Sequence, residues 1–249
     1  MPAVNPGAAN LIAWWSLADT LADSHTGGYT LTGTGSPSYT DGNGGARAIV
    51  FNGTTQYASR STSGWSFSGS ASFVAWVKLD AATPATDPLT GCWALGSGAG
   101  GNSHYPYTNS LLYQDVFRTT RVNAVTPAAV TRSNWHMVTV TTNGTTWRFY
   151  QNTTEATNTA AQASVTVPST MYLGASITPA SFKMQGQMQR VAVFSSALST
   201  DEIDWLYNSG SGRSYSDLLA TGQPAAIRSV FVPGMMSGGR TIIRPGWGG

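Results

Sequence analysis

Charged side chains are scarce in this 249-residue sequence, which has 13 Lys and Arg, 11 Asp and Glu, and a formal net charge of +2. They make up 10% of the chain, whereas a typical soluble domain carries about 25%. So small a net charge gives no argument for nucleic-acid binding, which needs concentrated basic side chains. The scarcity does not indicate disorder either, because disordered chains lack aromatic residues and this one is 11% aromatic.

Cysteine and long apolar runs are also missing. Cys92 is the one cysteine, so the chain can form no internal disulfide and no thiolate metal cluster. No stretch of 18 apolar residues occurs, and we therefore expect no membrane-spanning helix. Residues 1–12 have neither a basic start nor a long apolar segment, so we expect no secretory signal peptide.

Short runs of β-branched and aromatic residues recur between Gly- and Asn-rich turns. Residues 72–78 alternate with apolar side chains on both faces, which is typical of a central strand covered on both sides. Residues 135–141 and 145–150 flank Asn143-Gly144, the strongest hairpin signal in the chain. Further strands are predicted at residues 48–51, 56–59, 164–167, 171–174 and 189–194. This pattern and the chain length predict an all-β sandwich.

One short helix is predicted after residue 198. Ser199 and Glu202 have the spacing of a capping box, and Ile203, Leu206 and Tyr207 then fall on one apolar face. The helix has about two turns. We expect it to pack like a lid on the edge of the sandwich.

The last 30 residues differ from the rest, because residues 220–249 contain three arginines and no acid. Two β-prone runs, residues 229–234 and 241–246, each end in Pro-Gly. We expect an extended C-terminal arm that adds strands to the sheet edge of a neighbouring subunit; a disordered terminus is the alternative. The residues predicted to anchor the arm are Arg228, Phe231, Arg240, Ile242, Ile243, Arg244 and Trp247.

Six segments follow one another in a recognisable order: residues 11–17 with Asp23-Ser24, then residues 48–57, 72–77, 134–150, 186–194 and 197–208. In this order they resemble the laminin G-like, or concanavalin A-like, lectin-glucanase domain family. The resemblance covers about residues 10–215 and implies a two-sheet antiparallel jelly-roll sandwich with one short helix. Together with the different composition of the C-terminus, it divides the chain into an N-terminal segment (residues 1–9), the sandwich (10–215) and the C-terminal assembly arm (216–249).

Acidic residues that support calcium in relatives are largely amides in this sequence. Asn52, Gln151-Asn152 and Gln189 stand where the family often has an acid. Asp23 remains, but calcium takes roughly six to eight oxygen ligands, and one carboxylate is a poor basis for such a site. We therefore expect no metal and no cofactor, with calcium left open and Asp23 as its weak candidate ligand.

No catalytic motif survives comparison with the family. Relatives include glycoside hydrolases with a Glu-x-Asp-x-x-Glu strand, and Glu202-Ile203-Asp204 begins in the same way. Tyr207 replaces the last carboxylate, and on a predicted helix residues two apart do not share a face. The glycine-rich residues 96–101 lack the helix that a dinucleotide-binding loop needs. We therefore predict that the protein is not an enzyme.

Aromatic and amide side chains cluster in a predicted loop after Leu95. Lectin-like sandwiches bind sugars with aromatic rings and with amide or backbone groups for the hydroxyls. The alternative is that these aromatics cover the sandwich end or an oligomer contact. The candidate glycan-binding residues are Asn102, His104, Tyr105, Tyr107 and Asn109.

The low charge, the Thr-, Asn- and Gly-rich β body, the expected lack of a signal peptide and the apolar arm favour a structural surface protein of a phage-like virion. It would be a head-decoration or fibre-associated subunit, bound to other virion subunits through the arm, with host-cell glycans as further candidate partners. We expect no nucleic-acid or membrane partner, and homo-oligomerisation is left open. The alternatives are an extracellular, stand-alone carbohydrate-binding module and a weak hydrolase whose acid and base the sequence does not reveal.

Overall fold

The computed structural model describes residues 2–26, 28–80, 91–94, 102–107, 111–117, 120–124, 133–156, 160–161, 169–175 and 183–220. Between 91 and 124, and at 160–161, it describes the backbone alone. Residues 164–167 and the seven predicted anchors of the arm lie outside the described residues.

The described strands form two antiparallel sheets. The first contains β1 (Leu11–Trp15), β3 (Ser38–Asp41), β4 (Arg47–Asn52), β6 (Ala71–Leu79), β11 (Trp135–Thr142), β12 (Thr146–Gln151), β13 (Thr154–Glu155), β14 (Ala160–Ala161) and β16 (Gln185–Phe194). The second contains β2 (Thr32–Thr34), β5 (Tyr57–Ser61), β7 (Gly91–Ala94), β8 (Asn102–Tyr107), β9 (Leu111–Phe117), β10 (Thr120–Ala124) and β15 (Thr170–Leu173). The predicted two-sheet jelly-roll sandwich is confirmed.

Strand order places β6 in the middle of the first sheet. The order is β13-β12-β11-β6-β16-β4-β3, with β1 paired to the later half of β16 and β14 paired to β12. The order in the second sheet is β10-β9-β8-β7-β15-β5-β2. The predicted hairpin is β11–β12, and Asn143 closes its turn by accepting hydrogen bonds from the amides of Thr145 and Thr146, each at 3.0 Å.

The sandwich core lies between the two sheets. It includes Phe51, Phe73 and Phe149 of the first sheet with Met171 and Leu173 of the second, all buried. Burial of apolar side chains of this size stabilises the fold by about 1.5–3 kcal/mol each. Trp147 and Phe149 of β12 point into this core. Because side chains alternate along a strand, the even-numbered residues of β12 lie on the outer face of the first sheet.

A second apolar core covers that outer face. Val74 and Trp76 of β6 pack there with Phe194, and two helices cover them: α1 (Thr200–Tyr207) and α2 (Tyr215–Leu219). The Trp76 and Tyr207 rings stack with centroids 5.6 Å apart. The apolar alternation predicted for this central strand is confirmed. The lid position predicted for α1 is wrong, because the helix packs on the face of the sheet and not on its edge.

Both helices begin with capping boxes. The Ser199 hydroxyl accepts the Glu202 amide while the Glu202 carboxylate accepts the Ser199 amide at 2.7 Å, as predicted. Ser214 and Asp217 repeat this arrangement in α2, and the Ser214 amide holds the pKa of Asp217 below its ordinary value. Leu218 of α2 is buried in the second core. Neither helix that the structure describes has the length and apolar character to cross a membrane.

Candidate functional site

The predicted glycan-binding residues lie on a strand and not in a loop. Asn102, His104, Tyr105 and Tyr107 belong to β8, which pairs with β7 and β9; Asn109 lies outside the described residues. The glycine-rich residues before β8 and Pro106 within it favoured the loop interpretation. Pairing on both sides supplies the backbone partners that local propensity did not indicate. Their role in binding stays a prediction.

The outer face of the second sheet carries two half-buried tyrosines, Tyr57 on β5 and Tyr172 on β15. Their ring centroids are 5.9 Å apart and the rings are tilted by 60°. The alternate residues Ala58, Met171 and Leu173 enter the sandwich core, which fixes the tyrosines on the opposite side. The second sheet therefore presents a pair of partly exposed aromatic rings on its outer face.

Small hydroxyl side chains surround this pair, and the pairing registers show which share its face. Tyr172 lies opposite Ser59, which lies opposite Thr32 on β2; Tyr57 lies opposite Thr34. Directly opposed residues in a sheet project to the same side. The tyrosine face is thus formed by Tyr57 and Tyr172 with Thr32, Thr34, Ser59, Ser61 and Thr170.

The polar groups of the tyrosine face are available to a ligand. Among the described residues, the hydroxyls of Tyr57, Tyr172, Ser59, Thr32, Thr34 and Thr170 make no hydrogen bond, and Ser61 accepts one from the Ser63 amide at 3.2 Å. A hydroxyl can both donate and accept, which matches the hydroxyl groups of a sugar. Aromatic rings supply the apolar surface for the sugar ring.

Asn102 lies on the same register row as the tyrosines. The row runs Ser59, Tyr172, Ala94, Asn102 across β5, β15, β7 and β8. Two strand spacings separate Asn102 from Tyr172, about 10 Å. The backbone thus brings one predicted site residue to the row that contains Tyr172.

Asp23 organises a loop. The side chain is 4% exposed, and its Oδ1 accepts the amides of Trp14 and His25, both at 3.0 Å. Its Oδ2 accepts the amide and hydroxyl of Thr26 at 3.3 and 3.0 Å and the Tyr29 amide at 3.4 Å. Five protein donors therefore occupy the carboxylate that the sequence offered as a weak calcium ligand. Among the residues that the structure describes, no three His, Cys, Asp or Glu side chains form a metal-binding group.

The amides that replace family acids have structural partners. Asn52 Oδ1 accepts three backbone amides of the following turn, Asn152 exchanges hydrogen bonds with the Met137 backbone, and Gln189 bonds the Asn43 amide at 3.0 Å. An amide oxygen can accept these hydrogen bonds as a carboxylate does. Glu202 is used in the capping box, in agreement with the helical interpretation of residues 202–204.

Sequence reasoning identified Tyr57 and Tyr172 only as parts of strands. The residues next to each tyrosine in its strand are apolar and small or buried in the core. Because side chains of a strand point alternately to its two faces, the sequence could have placed each tyrosine on an outer face. It could not bring the two together, because that requires the β5–β15 pairing.

These features define a two-sheet jelly-roll domain with a hydroxyl-rich aromatic face on its second sheet. A family model described as the concanavalin A-like lectin/glucanases superfamily matches residues 52–204, more than half of the chain. The chain belongs to this superfamily. A comparison with curated proteins found no match.

Solved structures with the same fold include binding domains. Domain 4 of AbnA, an arabinanase from Geobacillus stearothermophilus in complex with arabinotriose, has a TM-score of 0.61 and 18% identity, over 78% of this chain and 97% of that one. The botulinum neurotoxin serotype D binding domain in complex with N-acetylneuraminic acid has a TM-score of 0.63 and 14% identity, over 82% of this chain. The binding domain of Paraclostridial Mosquitocidal Protein 1 has a TM-score of 0.64 and 12% identity, over 80% of this chain. The chain spans about half, 52%, of these last two domains.

Proposed function

We propose that the protein is a non-enzymatic, lectin-like module that binds glycans on its tyrosine face. The observation that carries this proposal is the pair Tyr57 and Tyr172, tilted together and surrounded by unbonded hydroxyls. The related domains crystallised with arabinotriose and N-acetylneuraminic acid support saccharide as the ligand class. The predicted residue Asn102 would extend the surface along its register row.

A binding role is also favoured by the positions of the carboxylates, because none belongs to the tyrosine face and three of them hold loops and helix caps. A glycosidase needs two carboxyl groups flanking the scissile bond. Asp23, Glu202 and Asp217 accept hydrogen bonds within loops and caps, and none of the seven residues of the tyrosine face is acidic.

Replacing Tyr172 with alanine is expected to weaken glycan binding at least tenfold, because it removes one of the two rings that would contact the sugar. An aromatic contact contributes about 0.5–1.5 kcal/mol beyond the apolar area that it buries, and the lost burial adds to this, so the sum reaches the roughly 1.4 kcal/mol of a tenfold change. A glycan array should identify the ligand of the wild type, and calorimetry should then compare wild type, Tyr57→Ala and Tyr172→Ala. The matched control is Tyr39→Ala on the first sheet, which should leave affinity unchanged.

Two outcomes would count against the proposal. A wild-type protein that binds no glycan would dispose of the lectin-like function. Equal loss of affinity in the Tyr39 and Tyr172 variants would mean that stability, and not ring contact, explains the effect; equal melting temperatures are therefore required for the comparison.

The second candidate function is that of a structural surface protein of a phage-like virion, anchored through the C-terminal arm. The supporting observation is that α2 is the last described element, with Leu218 buried and Leu219 49% exposed. Residues beyond α2 would then be an appendage available to neighbouring subunits. The location would be the virion surface, with an extracellular module as the alternative.

Deleting residues 224–249 is expected to abolish incorporation into particles without changing the melting temperature, because the buried residues that the structure describes in both cores precede the deletion. Density-gradient fractionation with mass spectrometry of each fraction would detect incorporation. Recovery of the truncated protein in the particle band at the wild-type level would rule out anchoring by the arm. Recovery of wild type only in the soluble pool would favour the stand-alone module.

A further inference from the structure

The outer face of the first sheet contains a pocket of about 350 Å³ where the second core ends. It lies between the turn end of the β11–β12 hairpin and residues 197–200, which precede and begin α1. A volume of about 300 Å³ or more is that of small-molecule sites. This hairpin pocket faces away from the tyrosine face, because the two lie on opposite outer faces of the sandwich.

One buried serine fixes the pocket wall. The Ser72 hydroxyl donates to the Ser196 carbonyl at 2.8 Å, accepts the Leu198 amide at 2.9 Å and lies 2.7 Å from the Thr141 hydroxyl. Ser72 is 0% exposed. The segment that leads into α1 is thus bonded directly to the sheet, so the pocket is formed before any ligand arrives.

Arg148, Tyr150 and Glu155 form a connected polar group in the pocket. Arg148 Nη1 lies 2.6 Å from Glu155 Oε1, and the Tyr150 hydroxyl donates to Glu155 Oε2 at 3.2 Å. Burial, and then the charge of Glu155, raises the pKa of Tyr150 to about 12, so this hydroxyl stays protonated at neutral pH.

Unbonded donors and acceptors line the rest of the pocket. The Thr146 and Thr200 hydroxyls and the Asn143 Nδ2 group have no hydrogen-bond partner in the described part of the chain. Leu198 supplies apolar surface beside them. A ligand with several hydroxyl groups can satisfy this mixture, because each hydroxyl both donates and accepts.

The charges around the pocket disfavour an anion. The Arg148 guanidinium is paired with Glu155, and the first turn of α1 beside Thr200 contains Asp201 and Glu202. An anionic ligand would therefore meet the Glu155 carboxylate in the pocket and a cation that is already paired, with Asp201 and Glu202 following the lining residue Thr200. A neutral ligand incurs no such repulsion.

We propose that the hairpin pocket is a second binding site, which takes a neutral saccharide independently of the tyrosine face. Arg148 and Glu155 bind sugar hydroxyls as an oriented donor–acceptor pair, and Thr146, Thr200 and Asn143 complete the contacts. The protein then binds glycans at two sites on opposite sides.

The test uses the full chain with Tyr57→Ala and Tyr172→Ala combined, so that the tyrosine face is removed. A glycan array with neutral, sialylated and uronic acid-containing oligosaccharides should detect residual binding restricted to neutral ones. Arg148→Gln and Thr146→Val should each weaken that binding at least tenfold.

Arg47→Gln is the matched control. Arg47 also pairs with carboxylates, those of Asp19 and Asp41, but it lies on β4, at the far side of the sheet. Nitrogen-15 NMR should show shifts at residues 141–150 and 197–200.

Each other outcome has a definite meaning. If the double tyrosine variant binds no glycan while wild type does, the hairpin pocket is not a saccharide site and the tyrosine face stands. If residual binding prefers sialylated or uronic acid glycans, the neutral specificity is wrong. If Arg148→Gln and Arg47→Gln behave alike, the polar group of the pocket is not the binding element. A wild type without any glycan binding overturns both proposals.

Discussion

Replacing Asp23 with alanine is expected to lower the free energy of unfolding by about 3–5 kcal/mol. The carboxylate is 4% exposed and accepts five hydrogen bonds, four of them from backbone amides of Trp14, His25, Thr26 and Tyr29. Removing it leaves these donors without their acceptor in a region from which water is largely excluded. Urea unfolding followed by tryptophan fluorescence would measure the loss.

Asp204→Ala is the matched control, since Asp204 is exposed on α1, and it should change stability by less than about 0.5 kcal/mol. The loss of stability in Asp23→Asn should lie between those of Asp23→Ala and Asp204→Ala. Asparagine keeps one acceptor oxygen, but its NH₂ group faces the remaining donors. Calcium or a chelator should not shift the unfolding midpoint of wild type. A calcium-dependent midpoint that Asp23→Asn abolishes would instead make Asp23 a metal ligand.

Replacing Gly186 with alanine is expected to lower the free energy of unfolding by about 3–5 kcal/mol. The backbone conformation at Gly186 is unfavourable for any other residue, and neighbouring backbone atoms leave no space for a Cβ. Gly186 has a φ of +151° and pairs with both Phe51 and Leu79, between β4 and β6. An added Cβ would collide with the Lys78 carbonyl oxygen and lie 3.0 Å from Leu79 Cα. Neither atom can move without breaking the pairing of the central strand.

Gly45→Ala separates the two contributions to this cost. Gly45 also has a positive φ, +74°, but no atom lies within 4 Å of an added Cβ. Gly45→Ala should therefore lower the free energy of unfolding by about 1 kcal/mol, through backbone strain alone. Equal losses at Gly45 and Gly186 would mean that the collision in the sheet is relieved by small movements. Thermal and urea unfolding of both variants, with circular dichroism to verify the fold, would decide this.

Local sequence patterns predicted where the strands and the first helix lie, but they did not predict which elements pack against each other. The apolar alternation of residues 72–78 indicated a strand covered on both sides, and the structure places it between the sandwich core and the helices. The pattern could not say what covers the second face. An apolar helix face fits a sheet edge or a sheet surface equally well, so the stack of Trp76 on Tyr207 could not be foreseen. The second helix could have been found, because Ser214 and Asp217 have the spacing of a cap.

The tyrosine face was beyond sequence reasoning for a different reason. Tyr57 and Tyr172 meet only because β5 pairs with β15 in a particular register, and a shift by one residue would turn either tyrosine into the core. The segment containing Asn102 was recognised as a candidate from its amide and aromatic composition. Its strand conformation depends on pairing with β7 and β9, the strands before and after it in the chain, and the composition of residues 102–107 does not indicate this pairing.

The helical layer also determines how the molecule is oriented when it is attached to something else. The Asn5 side chain donates to the Leu218 carbonyl at 3.2 Å, and the Val4 amide donates to the Asp201 carbonyl at 3.1 Å, so the first described residues lie beside α1 and α2. The tyrosines lie on the other side of the sandwich. A partner that contacts the helical layer would therefore leave the face with Tyr57 and Tyr172 on the far side of the sandwich.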